Sequence, residues 1–193
     1  MDAPASGHQE VVLLVCRANL IRSPLAAGLL RRRLLALGRD DLVVSSGGLE
    51  VVSGSAPDAE VLQVALEHHV SLDAHRPRPV TVESLQESAL VITMTETQRT
   101  GVCRMSRAAL VHTFTLLELV RLLGALDEPP ATTWSQLARR AHVARPMVPA
   151  ASQAEDVPDP IGRPVDHLRS VADTLADLTH LLGSHVASRA TTR

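Results

Sequence analysis

Two periodicities alternate along this chain. Val11-Val12-Leu13-Leu14-Val15 is an unbroken apolar run of strand length, and it leads straight into Cys16. Such a run predicts a strand buried on both faces. From Pro24 to Leu37 apolar residues recur at helical spacing, and Gly38 follows as a natural stop. Leu42-Val43-Val44 predicts a second strand, halted by Gly47-Gly48, and Asp58 to His69 predicts a helix. A short helix is expected over Val82–Glu87, after the Pro-rich stretch Arg76-Pro77-Arg78-Pro79. Ala89–Thr93 reads as a third strand, with a helix from about Glu96 and a short fourth strand near Leu110-Val111-His112. Helices over Leu116–Leu126, Trp134–Ala144 and Pro164–Leu182 complete the pattern, with a loop over Arg145–Glu155. Thr115 and Glu118 have capping-box spacing, and Trp134 and Phe114 are expected in the core.

Alternation of β and α predicts one α/β domain over residues 10–183, a three-layer α/β/α arrangement with a four-stranded parallel sheet. The ends, residues 1–9 and 184–193, are polar or small and are expected to be flexible. The 193 residues suffice for a real core, at 45% hydrophobic and 21% charged. A net charge of −2 gives no reason to expect a nucleic acid or an anionic membrane as partner. No basic residue precedes the first apolar run, so Met1–Glu10 makes a poor secretory signal. The two cysteines, Cys16 and Cys103, make neither a disulfide framework nor a metal site. A reducing cytoplasm is the expected compartment, and no metal or other cofactor is expected.

Ligands on parallel sheets sit at the carboxyl ends of strands, where Cys16 lies. The segment Cys16-Arg17-Ala18-Asn19-Leu20-Ile21-Arg22-Ser23-Pro24 is a short loop leading into a helix. Amides in a loop wrapped ahead of a helix point inward and make an anion nest. The helix dipole adds roughly half a positive charge at that end. A cysteine at the base of the nest is favoured as its nucleophilic thiolate. Arg22 stands at the wrong end of a helix for a solvated cation, but a guanidinium there can grip two phosphate oxygens. Asn19, mid-loop, tolerates the left-handed backbone of a tight turn.

These residues resemble the phosphate-binding loop of the low-molecular-weight protein tyrosine phosphatases of bacterial type. The family pattern is Cys, any residue, Gly, Asn, any residue, Cys, Arg, Ser, Pro, directly after the first strand. The chain matches at Cys16, Asn19, Arg22, Ser23 and Pro24, and departs at Ala18 and Ile21. The resemblance implies that Arg17, Ala18, Asn19, Leu20, Ile21 and Ser23 surround the phosphate, with Ser23 stabilising the thiolate. Val44-Ser45-Ser46-Gly47 resembles the family's Ser-Ala-Gly segment, and Leu72-Asp73-Ala74-His75-Arg76 the segment of its structural histidine. It thereby implies that Ser45 and His75 support the loop.

A thiolate attacking phosphorus expels an oxygen that needs a proton, and a carboxyl can supply it. Asp156-Val157-Pro158-Asp159-Pro160 offers two carboxyls. Prolines on both sides hold Asp159 in a defined loop, and Asp159-Pro160 matches the family's general-acid pair. Asp156 is the competing candidate. Ile161 and Gly162 stand where the family carries aromatic walls for phosphotyrosine, leaving Ile161, Val51 and Leu49 to form an apolar slot.

The resemblance implies phosphomonoester hydrolysis through a cysteinyl-phosphate, with a tyrosine-phosphorylated protein as substrate, a bacterial tyrosine kinase among the candidates. The missing aromatics keep open a small phosphate ester as substrate. Arsenate reduction needs an external thiol here, because Cys103 is the sole other cysteine. A non-catalytic phosphate-binding module would be expected to lose Cys16, Arg22 or Asp159. Ile21 replaces the second loop cysteine that lets family members trap an oxidised nucleophile as a disulfide. Prolonged peroxide should therefore drive Cys16 to sulfinic or sulfonic acid; full recovery of activity with dithiothreitol would contradict this.

Overall fold

A computed structural model describes residues 9–188. Four strands form one parallel sheet: β1 Val11–Cys16, β2 Val43–Gly48, β3 Ser88–Thr93 and β4 Thr113–Thr115. Their order is β2-β1-β3-β4. The chain moves outward from β1 to β2, then back across β1 to β3. The reversal places a crevice at the carboxyl end of β1, where ligands bind on such sheets. Cys16 is the last residue of β1 and pairs in register with Gly48.

Period-two alternation divides the strands between two cores. Val12 and Leu14 of β1, Leu90 and Ile92 of β3, and Phe114 face the larger core. This core is covered by α1 (Arg22–Ala36), α2 (Ala59–Glu67), α5 (Leu116–Gly124), α6 (Trp134–Ala144) and α7 (Val165–Ser184). Leu13, Val15 and Val91 face a smaller core that contains Leu85 of α3 (Val82–Gln86) and Val102 of α4 (Glu96–Met105). Because both faces are covered, the three-layer expectation holds. Trp134 and Phe114 are fully buried, as expected.

Local chemistry sets the boundaries. Asp58 accepts the Val61 amide and starts α2, and Thr95 does the same for α4. Thr115 and Glu118 form the capping box at α5 in both directions. Gly38, at a φ of 67°, follows the end of α1. Three boundaries differ from expectation. The fourth strand lies at Thr113–Thr115, while the stretch expected to form it is in a 3₁₀ turn, Arg107–His112. Of that stretch, Leu110 and Val111 are about half exposed (49% and 51%), so they had no sheet face to fill. Second, β2 runs through Gly47 and Gly48 instead of stopping there. Third, the chain is held beyond Ser184. Val186 is buried, and the Ala131 backbone bonds to the His185 carbonyl (2.7 Å) and the Ala187 amide (2.8 Å). The remaining ends expected to be flexible, 1–8 and 189–193, lie outside the described residues. Among the described residues, no helix is long and apolar enough to cross a membrane.

The α1 backbone approaches Val70 closely at Gly28, where an added Cβ would overlap Val70 Cγ1. Overpacking of this kind costs about 1–3 kcal/mol, more than the roughly 1 kcal/mol that alanine gains over glycine in a helix. Gly28→Ala is expected to lower the urea midpoint. Combined with Val70→Ala, it should destabilise by less than the sum of the two single changes.

Candidate active site

The loop between β1 and α1 closes around the sulfur of Cys16. The Asn19 amide lies 3.2 Å from Cys16 Sγ and the Ser23 hydroxyl 3.0 Å from it, so two donors converge on one buried sulfur. The Gly47 carbonyl, at 3.2 Å, is a second acceptor for the same hydroxyl proton. No side chain caps the first turn of α1, and no acidic residue stands in it. The first amides of that helix are therefore left for an anion.

Asn19 is the residue on which the loop is hung. Its φ of 55° is left-handed, which asparagine tolerates better than most residues. Its side-chain nitrogen donates to Ser23 Oγ (2.9 Å) and Ser46 Oγ (3.0 Å). Its Oδ1 accepts the Arg78 amide (3.0 Å), and its carbonyl meets His75 Nε2 at 2.8 Å. A carbonyl partner requires His75 to carry its proton on Nε2. Asn19 is fully buried, and every polar group just named is satisfied.

The expected supporting serine is corrected. Ser46 bonds to Asn19, while Ser45 makes no bond to it and lines, with Ser46, His75, Arg31 and Arg76, a cavity beside the loop. Adjacent strand residues point to opposite faces, so a shift of one position exchanges the two roles. Ala18, in place of glycine, fits because its φ is not positive. The close approach falls on Gly48 instead, where a Cβ would meet Arg17 O and Ala18 C below 3 Å (2.8 and 2.9 Å). Residue pattern alone did not assign Ser46, Gly48 or the Arg78 amide to the loop; the Gly47-Gly48 pair at a strand end was the available signal.

Arg22 is buried, with its side chain 5% exposed, and it bonds in two directions. Its NH1 donates to the Val157 carbonyl (3.0 Å), and its NH2 lies 2.8 Å from Asp159 Oδ2. The loop that begins at Cys16 is thereby tied through Arg22 to Asp159, far away in the chain. The Asp159 segment is anchored further by the Val157 amide on the Met94 carbonyl (2.8 Å). Asp156, the competing acid, is turned away and accepts the Glu96 amide at the start of α4 (2.7 Å).

Of the remaining loop residues, Arg17 is exposed, while Ala18, Leu20 and Ile21 are half-buried, Ile21 against the larger core. Arg17 borders a cavity of about 550 Å³ shared with Leu49, Glu50, Gln98 and Arg104. Val51 and Ile161, expected to form a slot with Leu49, are not among its walls. Cys103 is half-buried on α4, and desolvation pushes its thiol up, partly offset by Arg99 and Arg145. It is a poor attacking thiol in that state.

Residues 11–129 match the family model described as low molecular weight phosphotyrosine protein phosphatase. The Escherichia coli K12 protein-tyrosine-phosphatase Wzb is 33% identical over 95 residues, 49% of this chain. That match spans 61% of Wzb, so the chain covers about three-fifths of the length of this curated relative. The YwlE arginine phosphatase from Geobacillus stearothermophilus superposes with a TM-score of 0.67 at 25% identity, covering 90% of each chain. A low molecular weight protein tyrosine phosphatase from T. tengcongensis superposes with a TM-score of 0.68 at 24% identity, covering 90% of this chain and 97% of the other. The fold is thus shared by proteins named for different phosphorylated residues.

Ser46→Ala strips one acceptor from Asn19 and is expected to cost about 1 kcal/mol, whereas Ser45→Ala should stay within about 0.5 kcal/mol. Urea denaturation of both variants separates them; equal losses would remove Ser46 from the network.

Proposed function

From the chain's membership of the low molecular weight phosphotyrosine protein phosphatase family, we propose that it hydrolyses phosphomonoesters through a cysteinyl-phosphate on Cys16, with phosphotyrosine in proteins as substrate. The observation that carries this reading is the pair of donors on Cys16 Sγ, Ser23 Oγ at 3.0 Å and the Asn19 amide at 3.2 Å. A buried sulfur on which two donors converge is placed as an acceptor in a loop of donors, which an inert packed thiol does not need.

The steps follow from placement. The phosphate dianion binds the amides at the start of α1 and the guanidinium of Arg22, taking over the fork that holds Asp159. The Cys16 thiolate attacks phosphorus, and the P–O bond to the leaving group breaks in line. Asp159, released from Arg22 but kept at the site by Val157, takes up a proton from solvent as its counter-charge leaves and gives that proton to the departing oxygen. Water then attacks the cysteinyl-phosphate, Asp159 takes its proton, and the S–P bond breaks to release phosphate. Arg22 and the loop amides stabilise the equatorial oxygens, where charge gathers in the transition state. A reducing compartment such as the cytoplasm suits a free nucleophilic thiol.

Phosphoarginine is the second reading. It is favoured by the 25% identity to the Geobacillus arginine phosphatase and by the lack of an aromatic after Pro160, where Ile161 is 45% exposed. Phosphate release should be measured from a phosphotyrosine peptide, a phosphoarginine peptide and a small aryl phosphate. Cys16→Ser should abolish turnover on all three. Asp159→Asn should lower kcat on the tyrosine peptide by about 10²–10⁴, and by less on an aryl phosphate whose leaving group needs no proton. Turnover of the arginine peptide alone would transfer the substrate assignment. No turnover of any substrate by folded protein would refute the phosphatase reading.

A further inference from the structure

A second cavity, of about 320 Å³, lies behind the braces of the phosphate loop, and its walls include Arg31, Ser45, Ser46, His75, Arg76 and Arg78. No aspartate or glutamate lines it. Six arginines elsewhere, Arg22, Arg39, Arg121, Arg140, Arg145 and Arg169, each hold a carboxylate. Among the described residues, Arg31, Arg76 and Arg78 make no ion pair. The three come from separate places, the middle of α1 and both arms of the Arg-Pro-Arg-Pro stretch, and the fold gathers them at one cavity.

Their bonding leaves donors free. Arg31 Nε donates to the Val44 carbonyl (3.1 Å), which fixes the side chain at the rim and keeps both terminal NH₂ groups available. Arg31 is exposed as a whole, yet the chain crowds its guanidinium enough that desolvation lowers its pKa. Arg76 uses NH1 on the carbonyls of Asp73 (3.2 Å) and His75 (2.8 Å). The Arg78 side chain makes no hydrogen bond among the described residues, since only its backbone amide serves Asn19. Ser45, which the phosphate loop does not use, adds a hydroxyl. Guanidinium groups with a hydroxyl and no counter-charge suit an oxyanion, and groups converging from several sides suit a tetrahedral one such as phosphate.

We propose that this cavity is a second anion site, taking the phosphate group of inorganic phosphate or of a small phosphate ester, separate from the loop around Cys16. Asn19 stands between the two sites, since Ser46, His75 and the Arg78 amide all bond to it. The inference does not depend on catalysis at Cys16.

The test is a titration of the nitrogen-labelled full chain with inorganic phosphate, following the arginine Nε–H resonances by NMR. The Arg31 and Arg78 resonances should move and saturate on a curve distinct from that of Arg22. Arg76→Ala combined with Arg78→Ala should weaken binding reported by Arg31 by roughly tenfold or more, and leave the Arg22 curve in place. If the double variant does not fold, Arg78→Ala serves, because that side chain holds nothing in place. Methylphosphonate distinguishes the sources: affinity equal to that of phosphate supports an ester's phosphate group, and much weaker affinity supports the free ion. Arg31 and Arg78 resonances that stay still up to tens of millimolar phosphate would overturn the proposal. So would shifts that merely track Arg22 and survive the arginine substitutions.

Discussion

The bonds radiating from Asn19 are what the rest of the site depends on. One residue in a left-handed conformation turns the chain after β1 so that its amide points at Cys16. The same side chain orients Ser23, whose hydroxyl then has the sulfur as an acceptor. Its other partners are Ser46 on β2 and the His75–Arg78 segment. A loop with only its own contacts would sample many shapes, and each fixed residue costs about 1–2 kcal/mol of backbone entropy. Bonds to a sheet strand and to a second segment hold it in one shape, so the donors are in place before an anion arrives.

A second constraint couples the distant acid segment to that loop. Arg22 is buried where α1 begins, and its guanidinium requires partners that the loop does not supply. The Val157 carbonyl and the Asp159 carboxylate provide them. The Val157 amide in turn completes the end of β3 through Met94. The guanidinium at the start of α1 is therefore also the tie that brings in the Asp159 segment. Asp156, three residues before Asp159, is committed to the amide of Glu96 instead. Two carboxyls close in sequence thus have separate roles, one structural and one facing the guanidinium.

Much of the fold was legible because its signals are local. An unbroken apolar run, the capping-box spacing of Thr115 and Glu118, and Gly38 after α1 each act within a few residues. The misplacement of β4 has the same origin in reverse. Leu110-Val111-His112 is as apolar as Thr113-Phe114-Thr115, and only the position of the sheet decides which of them pairs with β3. Burial of Val186 was invisible for a similar reason, since its partner Ala131 is more than fifty residues away.

The site divides along the same line. Sequence by itself singled out Cys16, the arginine six residues on, the asparagine between them and the proline-flanked Asp159, because reactivity and backbone tolerance belong to residue types at fixed spacing. Tertiary structure decided what faces what. It chose Ser46 over Ser45 through strand register, and Gly48 over position 18 as the point of close approach. It set Asp156 and Asp159 apart, and it gathered Arg31, Arg76 and Arg78 around a single cavity. These outcomes depend on the relative placement of segments distant in the chain. Packing of the two cores against the sheet fixes that placement, and no short window of sequence contains it.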